Sequence, residues 1–169
     1  SGPALLALDA QVLAASPQGV RKIPLAQWFT GNRRTALQPG ELVTGLEVPD
    51  PGRHGGCFIK LGRYRGQDLA QVSVAVIATP DSWRVAFGSV AASPFRSARV
   101  EAVLASGPLD PVLLAEAATV AKAEVSPITD LRATREYRTH MVGVMLERAA
   151  EAASGRRAGT GPAYGVDLI

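Results

Sequence analysis

Residues 4–15 form a nearly unbroken apolar run, Ala-Leu-Leu-Ala-Leu-Asp-Ala-Gln-Val-Leu-Ala-Ala. Its first half suits a helical turn and its second half a strand, and periodicity alone leaves that division open. Ser16-Pro17-Gln18-Gly19 carries turn chemistry, with a short strand over residues 20–23. Residues 25–29 read as one helical turn with Pro24 at its start, and residues 31–35 as a polar, basic loop. Pro39-Gly40 predicts a turn, and residues 41–48 alternate as a strand ended by Pro49.

The pattern changes after residues 50–56, where Pro51 and three glycines mark a loop and a candidate boundary. Three strand-like segments follow. Cys57, Ile59 and Leu61 alternate with Phe58 and Lys60. Val72, Val74 and Val76 alternate with Ser73, Ala75 and Ile77. Trp83, Val85 and Phe87 share one face, opposite Arg84, Ala86 and Gly88. They predict a three-stranded antiparallel sheet with one face open to cover, and the cover comes from helices. Residues 97–105 read as a short helix closed by Gly107-Pro108. Asp110-Pro111 opens another, with a capping carboxylate followed by a residue that has no N–H to satisfy; its stripe is Leu114, Ala118, Ala121 and Val125. A last helix is expected over residues 135–153, with Thr134 as its cap and Tyr137, Met141, Val144, Met145 and Ala152 as its buried face. Gly155 and Arg156-Arg157 read as the start of a polar, mobile tail. Strands first and helices second predict an α+β fold.

Composition narrows the function classes. With 47% hydrophobic residues the chain can build a real core, and with only 5% aromatics that core is made of small side chains. Lys and Arg number 18 against 15 Asp and Glu, and no basic block exceeds two residues. A nucleic-acid partner is therefore not expected. A single cysteine, Cys57, excludes an internal disulfide framework and reads as a small buried hydrophobe. His54 and His140 lie far apart with no supporting ligand spacing. Ser93-Pro94 lacks the turn of a nucleophile elbow. No signal peptide and no apolar run near 18 residues is read, so the expectation is a cytoplasmic protein without a membrane partner.

The most charged feature is residues 126–142, in which Arg132, Arg135 and Arg138 surround Tyr137. Asp130, Arg132 and Tyr137 are expected to fix the start of the last helix through hydrogen bonds. Asp68 is expected to pair with Arg63 or Arg65 across a hairpin. By pattern alone Lys60 is a lysine on a solvated sheet face and Val43 a core valine, while Arg33, Arg34 and Thr35 form a solvated loop.

Residues 126–138 resemble the Pro-Ile-Ser-Asp-x-Arg-x-Ser-x-x-Tyr-Arg segment of the FAD-binding (medium) subunit of the molybdenum hydroxylases, the xanthine dehydrogenase and carbon monoxide dehydrogenase family. The resemblance extends in family order. It covers Leu5-Leu6-Ala7-Leu8-Asp9-Ala10, Trp28-Phe29-Thr30-Gly31 and Thr35-Ala36-Leu37-Gln38-Pro39-Gly40-Glu41-Leu42-Val43. It continues through Phe58-Ile59-Lys60-Leu61-Gly62-Arg63, Asp68-Leu69-Ala70-Gln71-Val72-Ser73-Val74-Ala75 and Gly88-Ser89-Val90-Ala91-Ala92-Ser93-Pro94-Phe95-Arg96. A tyrosine, Tyr64, interrupts what is often an Arg-Arg pair in the family.

The resemblance implies the end of a PCMH-type FAD-binding domain over residues 1–51. A carbon monoxide dehydrogenase flavoprotein C-terminal-like domain would follow over residues 57–153, and then a tail over residues 154–169. It implies FAD in the complete subunit, with a molybdenum cofactor and 2Fe-2S clusters on a molybdenum subunit and an iron–sulfur subunit. Electrons would pass from the clusters to FAD and on to an external acceptor. It places Lys60 and Val43 beside the flavin, on one wall of a shared cleft, and allows Arg33, Arg34 and Thr35 to reach its phosphates or a neighbouring subunit. The competing class is an assembly or docking domain that binds no flavin. One family feature is missing from the sequence: no glycine-rich loop precedes a helix, and Gly55-Gly56, the only glycine pair, reads as linker. Backbone amides need glycine to approach phosphate closely.

Overall fold

The computed structural model describes residues 1–64 and 67–169. The first apolar run divides into α1 (Gly2–Ala7) and β1 (Gln11–Ser16), with Asp9 turning the chain between them at a φ of 53°. Aspartate is one of the few non-glycine residues that tolerate this conformation. β2 (Gly19–Pro24) and β5 (Leu42–Glu47) flank β1 antiparallel, in the order β2-β1-β5. α2 (Leu25–Trp28) is the expected single turn. The expected basic loop at 31–35 is instead a small hairpin of β3 (Phe29–Gly31) and β4 (Arg34–Thr35), closed by Arg33 at a φ of 58°.

The second sheet is antiparallel throughout: β6 (Gly55–Leu61), β7 (Val72–Ala78), β8 (Trp83–Gly88) and β9 (Phe95–Arg96), in that spatial order. It has one strand more than expected. The short edge strand β9 is held by side chains: Phe95 packs on Phe87 with ring centroids 5.6 Å apart, and Arg96 Nε pairs with Glu101 at 2.5 Å. α4 and α5 start at their expected caps, and α3 has a cap in Ser97 as well. Ser97 accepts from the Val100 amide at the head of α3 (Ala98–Ala105). Asp110 accepts from Leu113 at the head of α4 (Pro111–Glu124), and Thr134 from Tyr137 at the head of α5 (Arg135–Ala158).

Both faces of the second sheet are covered, which the alternation did not anticipate. Cys57, Ile59, Val72, Val74, Val76, Val85 and Phe87 pack against α3, α4 and α5. On the opposite face Ala75, Ile77 and Ala86 join Leu6 and Ala7 of α1, Val12, Ala14 and Ile23 of the first sheet, and Leu25. The small residues on that side let α1 lie close: a Cβ at Gly88 would meet Pro3 and the Ser73 hydroxyl at 2.6 Å. The loop at 50–56 is therefore crossed by a shared core. Ion pairs from Asp9 to Arg84 (3.1 Å) and to Arg96 cross it too.

α5 departs from its expected course in two ways. It continues to Ala158 and ends on Gly159 in the left-handed conformation (φ 80°). Its buried face is Arg138, Val142, Met145, Leu146, Ala149, Ala150, Ala152 and Ala153, whereas Tyr137 is 45% exposed. The arginine lies on the face that packs toward the sheet, bonded to the Gln71 and Ser89 carbonyls. Gly55 is not linker: it pairs with Ala78 in β6 beneath α5, where a Cβ would overlap the Ala153 carbonyl oxygen and the Arg157 amide. No helix among the described residues is long and apolar enough to cross a membrane.

Gly55→Ala should therefore cost about 1–3 kcal/mol through overpacking against backbone that has no rotamer to change. Gly107→Ala, where an added Cβ meets nothing within 4 Å, should leave the urea midpoint nearly unchanged. Equal stability of the two variants would remove the backbone contact as the reason for glycine.

Candidate functional site

A cleft of about 700 Å³ opens between α1, β6 and the end of the chain. This lies in the size range of small-molecule and cofactor sites. Ala4, Ala7 and Leu8 of α1 and Ala75 and Ile77 of the sheet supply apolar surface, and Phe58 and Lys60 line it from β6. The alternation that buries Cys57 and Ile59 beneath the helices turns Phe58 and Lys60 to the other face. Lys60 Nζ donates to the Asp68 carbonyl oxygen at 3.2 Å. Asp68 in turn organises the turn after β6, accepting from the Arg63 amide at 2.5 Å and the Leu69 amide at 2.8 Å, with Arg63 Nε at 3.8 Å. The Arg63 amide is the main cause that holds the Asp68 carboxyl below its ordinary value, against partial burial and with help from the Leu69 and Tyr64 amides. The expected pairing with Arg63 is thus present, and Arg65 lies outside the described residues.

Val43 is elsewhere. It is half-exposed on β5 and lines a separate hollow with Leu5, Leu25, Trp28, Phe29 and Leu46. The structure does not bring Lys60 and Val43 onto one cleft wall. The reason is topological: β5 is on the far side of β1, whereas β6 belongs to the other sheet. Arg33 and Arg34 are exposed on the β3–β4 hairpin.

Residues 126–138 build a second hollow, of about 390 Å³, around a buried arginine. Asp130 Oδ1 accepts from the amide of Arg132 (2.9 Å) and from Arg138 Nη2 (2.8 Å), while Oδ2 accepts from Arg132 Nη2 (2.6 Å). Arg138 Nη1 reaches the carbonyls of Gln71 (2.6 Å) and Ser89 (3.1 Å), and Gln71 Nε2 returns to the Arg132 carbonyl (2.7 Å). Asp130 and Arg132 thus fix the start of α5 as expected, but the third member is Arg138, not Tyr137. An arginine next to a tyrosine on a charged stretch carries no local signal of burial. The Arg132 guanidinium first, then its amide and Arg138, hold the Asp130 carboxyl well below the usual carboxylate range. Cys57 is buried in the core, and burial raises its thiol. No group of three His, Cys, Asp or Glu that could hold a metal occurs among the described residues.

The cleft fits one part of a dinucleotide cofactor and not another. Its apolar surface and fixed cation suit a flat, electron-accepting ring. Among the described residues, the three long helices offer a pyrophosphate no open N-terminus, because each fills it with its own Ser, Asp or Thr cap.

Two family profiles match the chain. The CO dehydrogenase flavoprotein C-terminal domain matches residues 58–153, and the FAD binding domain in molybdopterin dehydrogenase matches residues 1–51. The carbon monoxide dehydrogenase medium chain of Afipia carboxidovorans is 35% identical over 91% of this chain and 56% of its own length. A putative xanthine dehydrogenase FAD-binding subunit of Escherichia coli is 27% identical over 89% and 56%. In the structure of reconstituted CO dehydrogenase from Oligotropha carboxidovorans, one chain superposes with a TM-score of 0.85 at 34% identity, over 92% of this chain and 56% of that one. The chain spans about half the length of these relatives.

Removing the buried guanidinium leaves the Gln71 and Ser89 carbonyls without their donor, so Arg138→Ala should destabilise the fold by about 3–5 kcal/mol in urea. The Asp130 carboxyl titrates below its unfolded value near 4. Its contribution is complete above that pH and is lost as the pH falls through the folded value. Asp130→Asn should flatten the acid limb of the stability–pH curve; an unaltered acid limb would mean that other carboxylates set it.

Proposed function

The chain belongs to the CO dehydrogenase flavoprotein C-terminal domain family, that of the FAD-binding subunits of molybdenum hydroxylases, and on that premise we propose that it closes one side of a flavin pocket. The observation that carries this reading is Lys60, presented by a rigid strand on the wall of the cleft between α1 and the sheet. Bound FAD would supply reversible electron acceptance, linking one-electron and two-electron donors. The part played by this chain is electrostatic and steric. The Lys60 ammonium, which donates to the Asp68 carbonyl, would stabilise negative charge gained on reduction of a flavin in this cleft. Ala4, Ala7 and Leu8 exclude water from one side of the cleft. Val43, in its own hollow, would contact the cofactor only at a different part from Lys60.

In this proposal residues 1–51 and 57–153 act as two family units joined by a shared core. An iron–sulfur subunit would deliver electrons that originate at a molybdenum cofactor on a further subunit, and an external acceptor would remove them. The names of the relatives, medium chains and FAD-binding subunits of oxidoreductases, support this arrangement.

Two outcomes are expected. In an FAD-loaded subunit carrying this sequence, Lys60→Ala should make the flavin potential more negative by on the order of 50 mV, about a tenfold change in a one-electron equilibrium, while the thermal midpoint stays put. A large loss of stability with an unchanged potential would return Lys60 to a structural role. The 169-residue chain alone should fold but elute from gel filtration without stoichiometric FAD. Exposed cations offer a pyrophosphate only about 0–1 kcal/mol each, against roughly 8 kcal/mol for micromolar affinity. Stoichiometric yellow protein would refute that account of the phosphate donors.

A further inference from the structure

The end of the chain lies beyond residues 58–153, which the C-terminal domain profile matches, and it is the least expected part of the structure. Residues 160–169 do not trail away. Gly159 reverses the chain, the Thr160 amide donates to the Gly155 carbonyl at 2.8 Å, and Gly155 and Gly161 cross so closely that a Cβ on Gly155 would lie 2.8 Å from Gly161 Cα. Arg156 then clasps the returning segment. Its Nε donates to the Pro162 carbonyl (2.9 Å), Nη2 to Ala163 (3.0 Å) and Nη1 to Gly56 of β6 (2.8 Å). Arg148 Nη1 holds the Leu168 carbonyl at 2.7 Å, and Leu168 packs against the main core. One end of this strap is thus tied to α5 and the strand that bears Lys60, and the other to the core.

The strap lies along the cleft, with Tyr164, Val166 and Leu168 among its lining residues. The Arg156 guanidinium sits 4.4 Å from the centroid of the Tyr164 ring, yet Tyr164 remains 70% exposed and Val166 51%. An aromatic ring fixed by a cation and left accessible in a cleft with apolar surface is suited to stacking on a flat conjugated ligand. We infer that the C-terminal strap is a wall of the ligand cleft and that Tyr164 positions the planar ring of the bound molecule by stacking. This inference rests on the flavin reading of the same cleft. It adds a residue and a segment that the sequence assigned to a tail.

The test uses the 169-residue chain and riboflavin, which carries the isoalloxazine ring without the pyrophosphate. Wild type should bind saturably with a Kd of roughly 0.1–1 mM, with quenched flavin fluorescence. Tyr164→Ala should weaken binding about three- to tenfold, as expected for one aromatic contact, and restore the fluorescence of the bound fraction. Tyr164→Phe should keep the affinity but lose the quenching, because a phenyl ring does not donate an electron to excited flavin; loss of packing alone would not separate these two readouts. Ala4→Trp, which fills the cleft from α1, should abolish binding, with far-UV circular dichroism confirming its fold. Abolition by Ala4→Trp with an unaffected Tyr164→Ala overturns the strap inference alone. No saturable binding by wild type, or binding that survives Ala4→Trp, overturns the cleft reading and this inference with it.

Discussion

Burial of β7 on both faces is the constraint from which most of the architecture follows. Val72, Val74 and Val76 point to the helices and Ser73, Ala75 and Ile77 to α1, and none of the strand is left to solvent. Each buried valine contributes about 1.5–3 kcal/mol when α5 is in place, and Ala75 and Ile77 add to this when α1 covers the other face. The side chains on the α1 face are small, so the helix approaches closely and its own residues become one side of the cleft. On the other face α5 presses so near that β6 needs glycine at position 55. The cleft is what remains where α1 ends and β6 extends past it.

The buried arginine solves a separate problem. Between β6 and β7, and again after β8, the chain turns with backbone carbonyls facing inward, at Gln71 and Ser89. A long side chain from α5 satisfies both at once, and Asp130 neutralises it. Replacing water with a guanidinium in this way joins the turn before β7, the turn after β8 and the start of α5 at one point. Its Nε has no partner among the described residues, so the arrangement is fitted to the carbonyls rather than to the complete donor set of arginine.

The parts that were legible in the sequence are those whose signals are local. The Asp110-Pro111 start of α4, the Thr134 cap, the short helix from residue 97, the alternation in β6, β7 and β8 and the Ser16–Gly19 turn all act within a few residues, and these elements are found, although β6 begins earlier and α5 ends later than expected. The rest depends on partners distant along the chain. Gly55 and Gly155 read as breakers because the backbone they accommodate, at Ala153 and Gly161, is visible only in three dimensions. Arg138 has no role legible in the sequence for the same reason, its carbonyl partners at Gln71 and Ser89 being distant along the chain. Lys60 was placed on the correct side of its strand by alternation. Its separation from Val43 depends on sheet order, which alternation does not encode.

The first sheet ends in an edge that is unlike the others. β5 has a neighbour only in β1, and Leu42, Val43, Leu46 and Val48 are all 46–72% exposed along or just beyond it. Its register with β1 shifts between Leu13 and Ala14, and the Thr44 hydroxyl donates to the Leu13 carbonyl there at 3.3 Å. An edge with apolar side chains can recruit further strands, and the local irregularity and the charged Glu47 are features of it that resist this. For the 169-residue chain taken alone, this edge is therefore a place where a further strand can add. A charge at Leu42 would make such strand addition less favourable while leaving the core contacts of the fold untouched.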